Sequence, residues 1–232
     1  MLSLLPLVVA LASDPTPAAS TAPRPTPLTE IGRTRTAPIC TTIVVHANGA
    51  ITSALDNDRA LAILTTNLKN TDFDKQSEIQ RRNTIDAMLD QAGRIRQAGK
   101  AADDEIKKLR EYAKASPDPE RRAELKAFAD ALGGAIYRQT KAAKEFMADV
   151  AVMHGREEAA EARDLKDNGP GSSSDTVAGA QLASSRARVP DPPKSYNQAM
   201  RTVAASLSDL ATAIAADEGI AQDHSVAATS GC

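Results

Sequence analysis

The chain has no tryptophan, and its three tyrosines and three phenylalanines make up only 3% of 232 residues. Stacking platforms for bases or sugars are therefore nearly absent. A net charge of -2 and a pI near 6.0 remove any long-range pull toward nucleic acid or an anionic membrane. Short motifs of common chemistry are missing as well. There is no Cys-x-x-Cys-His for haem attachment, no phosphate-binding Gly loop, no Gly-x-Ser-x-Gly and no His-Glu-x-x-His. The paired Glu-x-x-His motifs of di-iron bundles do not occur either. No catalytic or cofactor-binding residue is assigned, no cofactor is expected, and the reading leans away from an enzyme. No Asn-x-Ser/Thr sequon is present.

The apolar run Met1–Ala12 is too short to span a bilayer, which takes about 20 apolar residues. It has the length of a signal h-region and ends in Ala10-Leu11-Ala12 before Ser13, the small-residue cleavage pattern. Residues 1–12 are thus read as a signal peptide, although no Lys or Arg precedes the apolar stretch. The expectation is a secreted or periplasmic protein of the cell envelope, with no transmembrane segment after cleavage. Residues 13–38 are rich in Pro, Thr, Ala and Ser, as in Pro23-Arg24-Pro25-Thr26-Pro27. Prolines at that density stiffen a chain toward extended geometry and leave nothing to bury. This segment is read as a disordered linker rather than a Pro-rich docking ligand.

What the remainder has is helix-forming sequence: much Ala, mixed Glu, Lys, Arg and Asp, and few aromatics. A first stretch, about 39–68, carries Ile43, Ala47, Ile51, Ala54, Leu61 and Leu68. The β-branched opening from Cys40 to Val45 could pass for a strand, but no second strand exists to pair with it. Thr71 and Asp72 are candidate N-caps for the second stretch. There Ile85, Met88, Ala92, Ile95, Gly99, Ala102, Ile106, Leu109 and Ala113 keep an alternating three-four spacing, a heptad seam. Ser116-Pro117-Asp118-Pro119-Glu120 marks the next boundary, with Ser as a cap and Pro in the first helical turn. The third stretch presents Leu125, Phe128, Leu132, Ile136, Ala143, Phe146, Val150 and Met153. Residues 167–194 read as a flexible loop, apart from a weak helix around Val177 and Leu182. The fourth helix carries Tyr196, Met200, Val203, Leu207, Leu210 and Ile214, followed by a flexible tail, 221–232.

The fold class is therefore all-α: an elongated antiparallel bundle of three to four helices over 39–220. Its second and third helices form a long coiled-coil-like hairpin expected to project beyond a shorter core. Seam polar residues Asp58, Gln139 and Asp217 could line a pocket, or set register as polar residues in heptad seams do.

Cys40 and Cys232 are the only cysteines. In an oxidising compartment an even pair reads as a disulfide. An up-down-up-down order puts the start of the first helix and the end of the fourth at one end, where these two would meet. His46 and His224 fall at that end too, so Cys40, His46, His224 and Cys232 are the candidate metal ligands. Their spacing matches no compact zinc pattern. His154, beside Glu157 and Glu158, reads as an exposed helical pair. The functional expectation is a non-enzymatic structural or protein-interaction module, contacting another protein or itself through the hairpin. The alternative is an envelope bundle that binds a small ligand or a metal.

Overall fold

The computed structural model describes residues 26–32, 38–168 and 194–229. Among the described residues there are four long helices: α1 (Pro38–Asn70), α2 (Glu78–Ala115), α3 (Pro119–Asn168) and α4 (Tyr196–Thr229). A 3-10 turn, Phe73–Lys75, sits between α1 and α2. Each helix packs on the next in sequence, α4 returns to α1, and α1 meets α3 across the centre. At about 1.5 Å per residue, α1 and α4 are roughly 50 Å long and α2 nearly 60 Å. Among the described residues, no helix is long and apolar enough to cross a membrane.

The boundaries follow local chemistry, though not always through the residues the sequence suggested. Pro38 and Pro119 each occupy the first position of a helix, where the missing N–H costs nothing. Asp118, rather than Ser116, caps α3, accepting from the Glu120 N–H at 3.0 Å. Ser77, rather than Thr71 or Asp72, caps α2 in a capping box with Gln80. Asp72 and Asp74 instead brace α4. Asp74 accepts from the Ser195 hydroxyl and the Tyr196 N–H, both at 2.7 Å, and Asn197 donates to Asp72 at 2.8 Å. The short turn after α1 thereby fixes where the last helix starts.

All nine seam positions of α2 are buried, as is the expected face of α3 from Leu125 to Met153. The hairpin does not stand clear of the other helices, however. At its tip Ala113, Leu125 and Phe128 share a core with Ile43 and Ala47 of α1 and Ala228 of α4. The correction arises because α4 runs past residue 220 to Thr229, burying Ala221, Ser225 and Ala228 where a flexible tail was expected. Part of the expected linker is also packed: Leu28 is 5% exposed in the same core. Cys232, the Pro-rich segment before Thr26 and most of the 167–194 loop, with its weak helix, lie outside the described residues.

Gly99 shows why the seam tolerates a glycine. The Thr140 hydroxyl of α3 occupies the place where a Cβ would stand, and Ile136 Cγ2 lies 3.8 Å from it. Gly93 has nothing within 4 Å of that position. The two glycines should therefore respond in opposite directions. Gly93→Ala is expected to raise the melting temperature by removing a helix penalty of about 1 kcal/mol. Gly99→Ala is expected to lower it, because overpacking costs about 1–3 kcal/mol. Adding Thr140→Ala to Gly99→Ala should recover most of that loss, and equal melts for the two alanine variants would refute the account.

Candidate functional site

Two apolar cores fill the bundle. One runs from Leu61 to Phe73 on the α1 side with Ile85–Ile95, Ala142–Met153 and Met200–Ile214. The other gathers Ile43–Ala54, Ala102–Ala113, Leu125–Leu132 and Ala221–Ala228. Between them lies a polar layer. Gln139 of α3 is fully buried at its centre, and its side-chain amide donates to the Ala54 carbonyl (3.0 Å), Asp58 (2.8 Å) and Glu218 (3.3 Å). Its oxygen accepts from Asn57 Nδ2 at 3.2 Å. On the flank Arg138 Nε donates to Asp217 Oδ2 at 2.7 Å. The sequence marked Asp58, Gln139 and Asp217, and these do converge. It missed Asn57 and Glu218, whose signal was a polar residue standing at a buried position of the helical repeat.

Glu218 is 7% exposed. Burial first, then the hydrogen bond and charge of Asp58, then the charge of Asp217, push its carboxyl up to about 8. The groups facing it are Asp58 from α1, Asp217 from α4, and Arg138 from α3, which is paired to Asp217. Glu218 is thus held protonated beside Asp58 across the α1–α4 seam.

The sign of the resulting pH dependence is set by that proton. Unfolded, Glu218 releases it near 4.5; folded, it holds it to about 8. This contribution is therefore complete at acidic pH and is lost progressively between those limits. Asp130, whose burial is outweighed by Lys126 and Arg110, and Asp72 and Asp74 at the α4 start are held below their usual range. Their contributions act above the carboxylate range and disappear only in acid. Maximum stability is expected at mildly acidic pH. From there to pH 8.5 the ionisation of Glu218 should cost on the order of 2 kcal/mol, allowing for partial access of water. Glu218→Gln should remove most of that slope in thermal melts; a variant as steep as the parent would count against a Glu218 held protonated by burial.

The other cluster lies at the end that carries Cys40. His46 Nδ1 pairs with Glu105 of α2, and its ring stacks on Tyr112 with centroids 5.9 Å apart. His224 Nδ1 pairs with Glu124 of α3 at 2.6 Å. Each histidine is thus taken up by a carboxylate from the neighbouring helix. Among the described residues no group of three or more His, Cys, Asp or Glu is arranged to hold a metal. Cys40 is 3% exposed near the start of α1, while Cys232 and the His154 side chain lie outside the described residues.

Beside this cluster, Thr26–Gly32 crosses the cleft between α1 and α4 without regular secondary structure. Gln222 Oε1 accepts from the Thr29 N–H at 2.7 Å and from its hydroxyl at 3.2 Å. Asn48 holds both main-chain groups of Ile31, accepting from N–H at 2.8 Å and donating to C=O at 3.0 Å. Thr52 donates to Glu30 at 3.0 Å, and Thr26 to Asp223 at 3.5 Å. A cavity of about 540 Å³ opens along it, lined by Ile31, Val44, Val45 and Asn48 among others. No family model, curated protein or solved structure matches the chain.

Proposed function

We propose that this chain is an exported protein, secreted or held in the cell envelope, that works without catalysis by contacting another protein. The observation that carries the reading is the α1–α4 cleft, where side-chain amides already grip the main chain of an extended segment. Groups that read a peptide backbone are the chemistry of peptide recognition rather than of bond breaking. The nine-residue α2 seam is spent inside the bundle, so the contact uses an outward surface and not the hairpin stripe. The apolar leader and the cysteine pair support export.

Mass spectrometry of protein from the native host should find the mature chain beginning at Ser13. A pull-down from the envelope fraction should return a stoichiometric protein partner. A tightly retained metal or small ligand, found by elemental analysis or native mass spectrometry in place of a partner, would move the assignment to a ligand-binding bundle.

A further inference from the structure

The segment Thr26–Gly32 is bound in the way a separate peptide would be. It adds no strand and continues no helix. One side chain, Leu28, enters the core. Ile31 packs partly buried against the same core. The segment's hydrogen bonds to the bundle among the described residues run to side chains of α1 and α4: Asn48, Thr52, Gln222 and Asp223. Asn48, holding an N–H and a C=O of one residue, accepts any residue there that the chain can present extended. Gln222 accepts an N–H and a hydroxyl from Thr29, which favours Thr or Ser at that position. The cleft therefore reads a pattern: an apolar residue (Leu28), a hydroxyl residue (Thr29), a position where Thr52 can donate to a side-chain acceptor, then a second apolar residue (Ile31).

We propose that the α1–α4 cleft is a binding site for an extended Leu-Thr-x-Ile type segment of another protein, and that Thr26–Gly32 is its built-in occupant. This rests on the reading of the chain as a protein-contact module and names the ligand class. Beside the cleft, the apolar surface continues outward. Val45 lines it next to Ile31 and remains 53% exposed. Val226, one helical turn beyond Gln222, is 68% exposed. A longer partner segment has these side chains to cover, which Thr26–Gly32 leaves open. The built-in segment acts as a competitor, since its covalent tether holds it at high effective concentration. A foreign segment gains the site when the tethered one leaves it.

The test uses the full chain carrying Leu28→Asp, which removes the buried anchor and leaves the cleft residues intact. A synthetic peptide spanning Thr26–Gly32 is titrated into it while the side-chain amide signals of Asn48 and Gln222 are followed by NMR. Saturable shifts at both amides are expected, with binding at least tenfold weaker to the parent chain, whose cleft is filled. The same peptide with Leu28→Asp should bind at least tenfold more weakly, as should the unaltered peptide to a protein also carrying Asn48→Ala and Gln222→Ala, where the backbone amide signals of Thr52 and Asp223 are followed instead. Leu28→Ala, a milder change, replaces Leu28→Asp where circular dichroism shows that variant unfolded.

No saturable shift, or equal binding by the parent chain, overturns the proposal. A dimer that Leu28→Asp abolishes also overturns it, by seating a second copy's segment in the cleft. A partner returned by pull-down that ignores these substitutions would leave the contact-module reading standing and remove this site from it.

Discussion

Cys40→Ser is expected to lower the unfolding free energy by on the order of 5 kcal/mol, the loss that follows when the proposed Cys40–Cys232 bond no longer ties the start of α1 to the end of the chain. The geometry that motivates the bond is in the lower core. Ile43, one turn along α1 from Cys40, shares that core with Ala228 in the last turn of α4. The described part of α4 ends at Thr229, and the three residues from there to Cys232 reach at most about 10 Å when extended. A disulfide needs the two Cα atoms about 4.4–6.8 Å apart, a separation within that reach. In the chain-entropy account the stabilisation grows with the enclosed loop, which here takes in the whole bundle.

The expected loss corresponds to a fall of roughly 10–20 °C in melting temperature for a domain of this size. Reductant added to the parent chain should reproduce it, which separates the bond from the cost of placing a serine hydroxyl in a site 3% exposed. Intact mass without reduction should show a monomer lighter by two hydrogens than the reduced chain. A cross-linked dimer, or identical melts with and without reductant, would defeat the intramolecular clasp.

The second large effect is expected at Gln139. Gln139→Leu keeps much of the volume and removes the hydrogen bonds Gln139 makes to Asn57, Ala54, Asp58 and Glu218. Asn57 then has no acceptor there, and Asp58 and Glu218 lose their shared donor. Burying polar groups without partners costs about 1–3 kcal/mol each, more for a charged one. A loss of about 3 kcal/mol is expected, measured by urea unfolding of the two proteins side by side. The gain in apolar burial from leucine offsets only part of it. Glu218→Gln in the same background should restore some stability at pH 8, since it removes the negative charge that has lost its donor. A Gln139→Leu protein as stable as the parent would show that the layer contributes nothing to the fold.

The polar layer also explains a choice the heptads leave open. An apolar stripe repeating every seven residues packs almost as well after a slip of one repeat. Only one register places Asn57, Asp58, Gln139 and Glu218 together with their partners satisfied. In any slipped register these groups are buried against methyl groups, and the desolvation penalty selects against it.

Much of this architecture was legible in the chain. The α2 seam from Ile85 to Ala113 and the α3 face from Leu125 to Met153 are periodic apolar stripes, and burying such a stripe is favourable wherever the helix lands. The Pro117–Pro119 break was equally plain, since proline cannot donate inside a helix. Three features were not. The last turns of α4 bury Glu218, Gly219, Ala221 and Ser225, a stripe too small and polar to register as apolar. Thr71 and Asp72 look like caps for the helix that follows them, but a fully formed capping box at Ser77 leaves Asp72, together with Asp74, to brace α4 instead. Leu28 sits among prolines that suggest a spacer, and its burial depends on a cleft made by helices that join only after folding.

The sequence by itself thus determined an all-α bundle of three to four helices, most of their inward faces and their breaks, because these depend on local propensity and on apolar spacing along one element. Only the tertiary structure decided which polar residues share a layer, which histidine takes which carboxylate, and what lies in the α1–α4 cleft. Those are pairings between residues distant in the chain. Their energy comes from removing both partners from water together, which no single segment records.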